Sequence, residues 1–406
     1  MNNNRMQNFS GGKVGAGSDV ASLEYDNTTY SAIPSYTIHK NAGPEALNVF
    51  QSRLSREIDS FLADITSKLR KQEKRKLLAI KRLSLLVTTI WPRAQVKMYG
   101  SHQCDLRLPS SDLDFVICLP NVHKNTPADT PGALEGRNAI NESNQKLFAR
   151  KLKSESWIEL KSIKIIERTV IPVIKVATKD SRSKSLQLDI SFDSPEHHGL
   201  EAVGMVKNIM ESFPMVRPIV LVLKQFLLDK GLLTAYTGGI SSYCLFIMVT
   251  RYLQEQDLQL MDAGSLVMGC LDFYGNVFDP RLVGISVSNG GQYFRRPHYQ
   301  ASPIQENPNQ LVRRHSFQHQ KERNVTSAPN RPFTFDPLFV EDPTSPGNNV
   351  GRNSFRINQV QRAFSDAHRA LVASLEWDMD MNSGMEFQED AYPLLKCLLQ
   401  NEESYY

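Results

Sequence analysis

Three aspartates stand at spacings that could support metal-dependent chemistry. Asp112 and Asp114 lie two residues apart at the head of an apolar run, DLDFVICL (Asp112–Leu119). Asp189 sits 75 residues beyond Asp114 in a second such run, SLQLDISF (Ser185–Phe192). On a strand, residues i and i+2 share a face, so Asp112 and Asp114 point together while Leu113 turns to the core. Asp189 has Leu188 and Ile190 on its opposite face. Three carboxylates on adjacent strands form the oxygen-rich environment that Mg²⁺ prefers. Two such ions, about 3.5–4 Å apart, can activate a hydroxyl and steady a leaving pyrophosphate during in-line displacement. Upstream, AQVKMYGS (Ala94–Ser101) alternates like a strand and ends in Gly100-Ser101. Gly100 permits close backbone approach, and Ser101 can donate to a phosphate oxygen. An isolated DxD on a strand means little. The Gly-Ser before it, the buried run after it and the third strand aspartate are what make the spacing informative.

Other residues are candidates of lesser weight. Lys224 is one cation among Val222, Leu223, Phe226 and Leu227, where it needs an anion nearby or a route to solvent. Gly238-Gly239 before Ser241, Ser242 and Tyr243 places hydroxyls and free amides at a helix N-terminus, which suits either an anion or an ordinary N-cap. Tyr243 could stack on a base or simply pack. His197-His198 has no partner at metal-ligand spacing and reads as a solvated loop pair. Lys68–Arg82 carries eight Lys/Arg against one Glu, a solvated helix face by default and an RNA contact or import signal otherwise.

The elements that must position these groups follow from hydrophobic period. Residues 1–43, rich in Asn, Gly, Ser and Thr, read as a disordered leader. From Pro44, Leu47, Phe50, Leu54, Ile58, Phe61, Ile65 and Leu69 recur at helical intervals, and a second helix is expected from about Lys74 to Ile90. Residues 91–197 combine strands at 94–101, 112–119, 169–178 and 185–192 with a helix near 145–153. Residues 198–375 are mainly helical, with candidates at 200–211, 217–230, 241–254, 265–274 and 356–371. Within them, 295–331 carries seven Lys/Arg against two Glu and no period. It reads as a mobile basic insert whose Arg295-Arg296, Arg313-Arg314, Tyr293, Phe294 and Phe317 could grip single-stranded RNA. Residues 376–406 read as a peripheral acidic tail. The fold class is α+β: a mixed-sheet domain beside a helical one, with the 44–90 helices packing on the latter.

The 406 residues carry 47 Lys/Arg and 43 Asp/Glu, a net charge of +4, which excludes a polycation. Five scattered cysteines without a CxxC argue against a disulfide framework or zinc finger and fit a reducing intracellular compartment. The first fifteen residues lack an apolar signal region, and the apolar stretches 219–228 and 240–253 are too short to span a bilayer.

The segment MYGSHQCDLRLPSSDLDFVICL resembles the signature of the DNA-polymerase-β-like nucleotidyltransferases. More narrowly, WPRAQVKMYGS, VLKQFLLDKGL, TGGISSYCLFIM and VEDPTSPGNNVGRNSF resemble the Trf-type poly(A) RNA polymerases, over roughly Lys76–Leu371 and in the family's order. The resemblance implies that Asp112, Asp114 and Asp189 hold two Mg²⁺ or Mn²⁺ ions. It places Gly100, Ser101 and Gly199 beside the nucleotide, Lys224, Ser242 and Tyr243 on the triphosphate and base, and Asn348 and Arg352 in nucleotide recognition. It implies transfer of AMP from ATP to RNA 3′ ends, in the nucleus and also the cytoplasm, with a zinc-knuckle RNA-binding protein and an RNA helicase as TRAMP-type partners and no membrane. The 295–331 insert and the C-terminal tail depart from the family pattern. The rivals are a terminal uridylyltransferase, which shares nearly every motif, and a catalytically inactive RNA-binding scaffold. Transfer to a small molecule such as an antibiotic fits the Gly-Ser/DxD pattern but not the GNNVGR region.

Overall fold

The computed structural model describes residues 44–120, 143–167, 169–179, 185–296, 336–380, 393–396 and 398–399. The 1–43 leader and nearly all of the basic insert, Arg313, Arg314 and Phe317 included, lie outside the described residues.

Helix α1 (Pro44–Ile90) is one unbroken helix of 47 residues, about 70 Å long, where the apolar period predicts two. No Gly or Pro interrupts it between Glu45 and Trp91, so nothing in the backbone stops the helix. What stops at Leu69 is the partner. Leu47, Phe50, Leu54, Ile58, Phe61, Ile65 and Leu69 are buried in one core, whereas Ala79, Leu83, Leu86 and Val87 are buried in another. The lysine-rich stretch between them is where the helix crosses from one domain to the other.

The smaller core lies under a five-stranded mixed sheet of β1 (Gln95–Tyr99), β2 (Leu113–Cys118), β3 (Lys164–Ile166), β4 (Val173–Ala177) and β5 (Gln187–Phe192), in the order β1-β2-β5-β4-β3. Only β2 and β5 run parallel. Alternation decides the faces: Leu113, Phe115, Ile117, Leu188 and Ile190 turn to a core completed by Trp91 and by Phe148 and Leu152 of helix α2 (Asn144–Leu152).

The larger core gathers α3 (Gly199–Ser212), α4 (Val216–Asp229), α5 (Ser242–Leu253), α6 (Ala263–Asp272) and α7 (Ile357–Asp380) around the first half of α1. A hairpin, β6 (Val283–Ser286) and β7 (Gln292–Arg295), packs against it. Its strands are four residues each, too short to leave a period in the sequence. The hairpin corrects the RNA-grip reading of its aromatic residues. Tyr293 and Phe294 are buried; the Tyr293 hydroxyl lies 3.3 Å from that of Tyr274, and the Arg251 guanidinium sits over its ring. Arg296 is spent on structure, donating to the carbonyls of Pro280 and Asp336 at 2.5 and 2.7 Å.

The tail also differs from expectation, since part of 376–406 is core and not periphery. Leu394, Leu395 and Leu398 are buried with the helical domain around the short helix α8 (Pro393–Lys396). The buried carboxylate of Glu57 accepts the free amides of Leu394 and Leu395 at 2.8 and 3.0 Å. A carboxylate capping two helix N-terminal amides supplies acceptors that the first turn lacks. Leu395→Ala is therefore expected to cost about 2–5 kcal/mol in urea denaturation; a loss below about 0.5 kcal/mol, the usual size of a surface change, would return this segment to the periphery.

Candidate active site

The sheet register assembles the site on one face. Asp114 on β2 lies directly opposite Asp189 on the parallel strand β5, and opposite Tyr99 on β1. Asp112, two residues before Asp114, shares its side. Gly100 follows Tyr99 with φ +67°, a conformation that side chains rarely adopt. A Cβ there would lie 2.2 Å from the Asp114 Oδ2. The carboxylate is thus laid against bare backbone, and glycine is demanded twice, by conformation and by space. Ser101 continues the single turn Gly100–His102, half-buried beside the aspartates.

Crowding shows in the acid–base behaviour. Burial, then the charges of Asp189 and Asp112, push the Asp114 carboxyl up to about 7, and burial also raises Asp189. Cations relieve that conflict: Lys224 acts on Asp114, and both Asp114 and Asp189 are relieved by Lys175. Its ammonium lies 2.5 Å from Asp189 Oδ2 and 3.5 Å from Asp112 Oδ2, directly across the β4–β5 pair. Among the described residues no three acidic, His or Cys side chains already converge as a closed metal cage. The donor set nevertheless suits hard divalent ions: carboxylates only, destabilised by one another, beside a glycine cradle. Sequence reading missed Lys175; its signal was a single cation inside the apolar strand VIPVIKVA.

Lys224 enters from the helical domain. It is buried on α4, and its Nζ donates to the Leu106 carbonyl at 2.9 Å and lies 3.5 Å from Ser111 Oγ. Leu106 and Ser111 belong to the loop between β1 and β2, whose Cys104, Leu106 and Leu108 plug into the helical core. Arg217 of α4 pins the same loop through Asp105 at 2.9 Å.

Beyond α4, Ser241 caps α5, its hydroxyl accepting the Cys244 amide at 3.0 Å, so Ser242 and Tyr243 open the helix. The Tyr243 hydroxyl donates to Asp342 Oδ1 at 3.0 Å. Asp342, which sequence reasoning passed over inside the motif VEDPTSPGNN, is the hub of this loop. It accepts the Thr344 amide and hydroxyl at 3.0 and 2.7 Å and the Asn348 side-chain amide at 2.9 Å. Because an ionised carboxylate only accepts, Asn348 must give it NH₂ and turn its carbonyl oxygen elsewhere. The adjacent Asn349 does a different job: it is buried and accepts the amides of Val340 and Gly351 at 2.9 and 2.8 Å, fixing the loop. Arg352 is mostly exposed, 3.8 Å from Asp336.

Two candidates take other surroundings than expected. Gly199 opens α3 with its bare face toward the rings of Tyr99 and His197, where a Cβ would come within 2.7 and 2.8 Å. His197 is not solvated, which corrects the loop-pair reading. It is buried, edge-on to Tyr99, with Nε2 2.9 Å from Ser191 Oγ, whose hydroxyl donates to the Phe115 carbonyl at 3.0 Å. Tyr99, Ser191 and His197 form a packed floor beside the aspartates. His198 lies 3.0 Å from Glu201 at the surface.

This assembly has the fold of the nucleotidyltransferases. Two family descriptions match the chain: the central palm domain of mitochondrial-like poly(A) RNA polymerase over residues 54–207, and the Cid1 family of poly(A) polymerases over residues 262–348. Together these two descriptions match more than half of the chain, which belongs to the poly(A) RNA polymerase family they describe. It is 29% identical over 74% of its length to poly(A) RNA polymerase protein 1 of Saccharomyces cerevisiae. It is 28% identical, again over 74%, to Trf4-2 of Drosophila melanogaster, which carries the name of an inactive poly(A) RNA polymerase. The chain spans 40% and 64% of those two relatives, less than two thirds of either. In three dimensions it is similar to the polymerase core of TRAMP, an RNA surveillance complex, with a TM-score of 0.63 at 22% identity, covering 88% of this chain and 99% of that one. The Cid1 poly(U) polymerase shares the fold at a TM-score of 0.53 and 19% identity, over 81% and 92% of the two chains. Among the described residues no helix is long and apolar enough to cross a membrane.

Lys224 yields a prediction with a defined pH window. Burial lowers its pKa to about 8, against the pull of Asp114 and Asp112. Below pH 8 the folded state holds a desolvated cation, which opposes folding. Between pH 8 and about 10.4 the folded form sheds a proton that the unfolded chain keeps, so this group's contribution to stability rises with pH. Lys224→Met is expected to stabilise the protein by about 1–3 kcal/mol at pH 7, less at pH 9.5, in urea denaturation at both values. A variant less stable than wild type at pH 7 would show that the Leu106 contact outweighs the cost of burial.

Proposed function

We propose that the chain transfers AMP from ATP to the 3′ hydroxyl of RNA without a template. The observation that carries this is the grouping of Asp112, Asp114 and Asp189 on one sheet face against the bare backbone of Gly100. In the reaction the RNA 3′ oxygen bonds to the α-phosphorus of ATP, the bond from that phosphorus to the bridging oxygen breaks, and pyrophosphate leaves with the electron pair. Asp112, Asp114 and Asp189 would hold two Mg²⁺ or Mn²⁺ ions, which would supply charge neutralisation at the attacking and leaving oxygens. Asp189 accepts the hydrogen bond of the attacking hydroxyl and takes its proton as the new bond forms. Ser101 donates to a phosphate oxygen, and Lys224 and Ser242 face the triphosphate. Tyr243 lies against the base, with Arg352 at the outer edge of the nucleotide and Gly199 holding the floor beside it.

The relative named inactive in Drosophila favours a second reading, a scaffold without catalysis. The presence of all three carboxylates in register supports activity instead. Asp112→Ala and Asp114→Ala, with folding confirmed by circular dichroism, are expected to lower the primer-extension rate by more than ~10²-fold, since each removes a charged ligand. Near-normal extension by either folded variant would sink the two-metal assignment.

Base choice rests on Asn348. With its NH₂ engaged by Asp342, the exposed carbonyl oxygen is an acceptor, complementary to the amino group of adenine and repelled by the carbonyl of uracil. An imidazole N–H at this position reverses that preference, since it donates to uracil's carbonyl and faces adenine's amino donor unfavourably. Asn348→His is expected to move the ATP-to-UTP ratio of kcat/KM toward UTP by a few-fold to ~100-fold, about 1–3 kcal/mol. Asp342→Asn frees the Asn348 amide to flip and is expected to weaken selectivity in either direction. An unchanged ratio in both variants would remove this pair from base selection. In the cell we place this activity in nuclear RNA surveillance beside a zinc-knuckle protein and a helicase. The likeness to the TRAMP polymerase core supports that placement, and co-purification from nuclear extract without either partner would contradict it.

A further inference from the structure

Two large aromatic side chains stand in solvent at the rim of the nucleotide loop. Tyr236, on the single turn Ala235–Thr237, is 87% exposed, and Phe355 is 66% exposed. Neither serves a core. The Phe355 ring lies against Gly238, whose φ is +87° and where a Cβ would come within 2.1 Å of the ring, so bare backbone supports it. The next residue, Arg356, ties the two segments together: its amide donates to the Gly238 carbonyl at 2.8 Å and its guanidinium to the Gly231 carbonyl at 3.0 Å. Ser242 and Tyr243 come four and five residues after Gly238, and Asn348 stands seven residues before Phe355, so the chain leads from both aromatics into the proposed nucleotide site.

From Arg356 the surface continues as a groove between α4 and α7, a cavity of about 350 Å³. Its floor is apolar, with Phe226, Leu232 and Ala367, and its rim carries Lys230, Arg356 and Arg362. The acidic group on this wall, Asp366, is paired with Arg369. Lys230 also lies 5.9 Å above the Phe226 ring. From Ile357 to Ala370, α7 runs about 20 Å, the length of roughly six stacked nucleotides at about 3.4 Å each.

We infer that Tyr236, Phe355 and the Lys230–Arg362 groove form a binding track for single-stranded RNA upstream of its 3′ end. Exposed aromatics leading into a cationic groove are what such a strand requires. Its bases have π-faces to stack in any sequence, and its phosphates need a continuous line of positive charge. The inference deepens the proposed activity and rests on it for the identity of the strand. It also places stacking on Tyr236 and Phe355 instead of Tyr293 and Phe294, which stay in the core.

The test uses the full chain and 5′-fluorescein oligo(A) of 4 and 15 nucleotides, with anisotropy read without nucleotide or metal between 50 and 200 mM KCl. Wild type is expected to bind the 15-mer at least about 10-fold tighter than the 4-mer. The double variants Tyr236→Ala/Phe355→Ala and Lys230→Glu/Arg362→Glu are each expected to lose about 10-fold on the 15-mer. The charge reversal should also flatten the salt slope by about 1.4, two phosphate contacts' worth for a single strand. KM for ATP and extension of the 4-mer should stay at wild-type values in both, readouts that a folding defect would move. Length-independent binding by wild type, or variants that bind the 15-mer like wild type, would overturn the track. Unchanged RNA affinity with poly-glutamate binding at the groove would assign the surface to an acidic protein and overturn it equally. Wild type that binds by length yet extends no primer would instead break the activity proposal and leave the track standing.

Discussion

A buried ammonium joins the two halves of this molecule. Lys224 cannot be solvated where it sits, so it takes the Leu106 carbonyl from the loop between β1 and β2 and lies beside Ser111, one residue before Asp112. That loop in turn buries Cys104, Leu106 and Leu108 among the helices. The carboxylates and the helical domain are therefore placed by the same few residues, and the desolvation cost of one lysine is tolerated because it fixes both. Helix α1 reinforces the arrangement at longer range: its Glu73 lies 3.6 Å from Arg107, and Gln72 donates to the Pro109 carbonyl at 3.2 Å, on the loop that Lys224 grips.

The aspartates carry the opposite problem. Three carboxylates on neighbouring positions repel one another, and burial deepens the penalty until Asp114 holds its proton near neutrality. Lys175 balances part of that charge from across the sheet. Such a group of residues is poor at stabilising the fold and well suited to receiving divalent cations. A locally destabilised site supported by packed surroundings is the expected signature of function. In the loop before α7, one acceptor-only carboxylate, Asp342, orients a phenol and an amide together, so a single charge sets two contacts.

Much of this was legible in the sequence because the relevant signals are local. Alternation placed Asp112, Asp114 and Asp189 on one face, and the structure has them there. Helical period found α3 to α6 within two residues and the start of α7 within one, while α7 runs nine residues past its expected end. What escaped was non-local. The continuity of α1 was hidden because an apolar stripe reports the partner, and α1 changes partners between Leu69 and Ala79. The β6–β7 hairpin and α8 are too short to show a period. Lys175 and Asp342 act through register and loop folding across distances that spacing does not encode, and His197 looked like solvent until Ser191 and Tyr99 were seen to enclose it. Asn348 and Asn349 stand side by side in one motif, yet one is exposed and gives its amide to Asp342 while the other is buried and holds the loop.

The central claim is that this carboxylate face elongates RNA with AMP. Its most direct test is incubation of the purified chain with a 5′-labelled RNA primer, Mg²⁺ or Mn²⁺, and each of the four nucleoside triphosphates in a separate reaction, resolved on a sequencing gel. The account predicts a ladder with ATP that exceeds those with UTP, GTP and CTP. No extension with any nucleotide, or extension with UTP in preference to ATP, would contradict it.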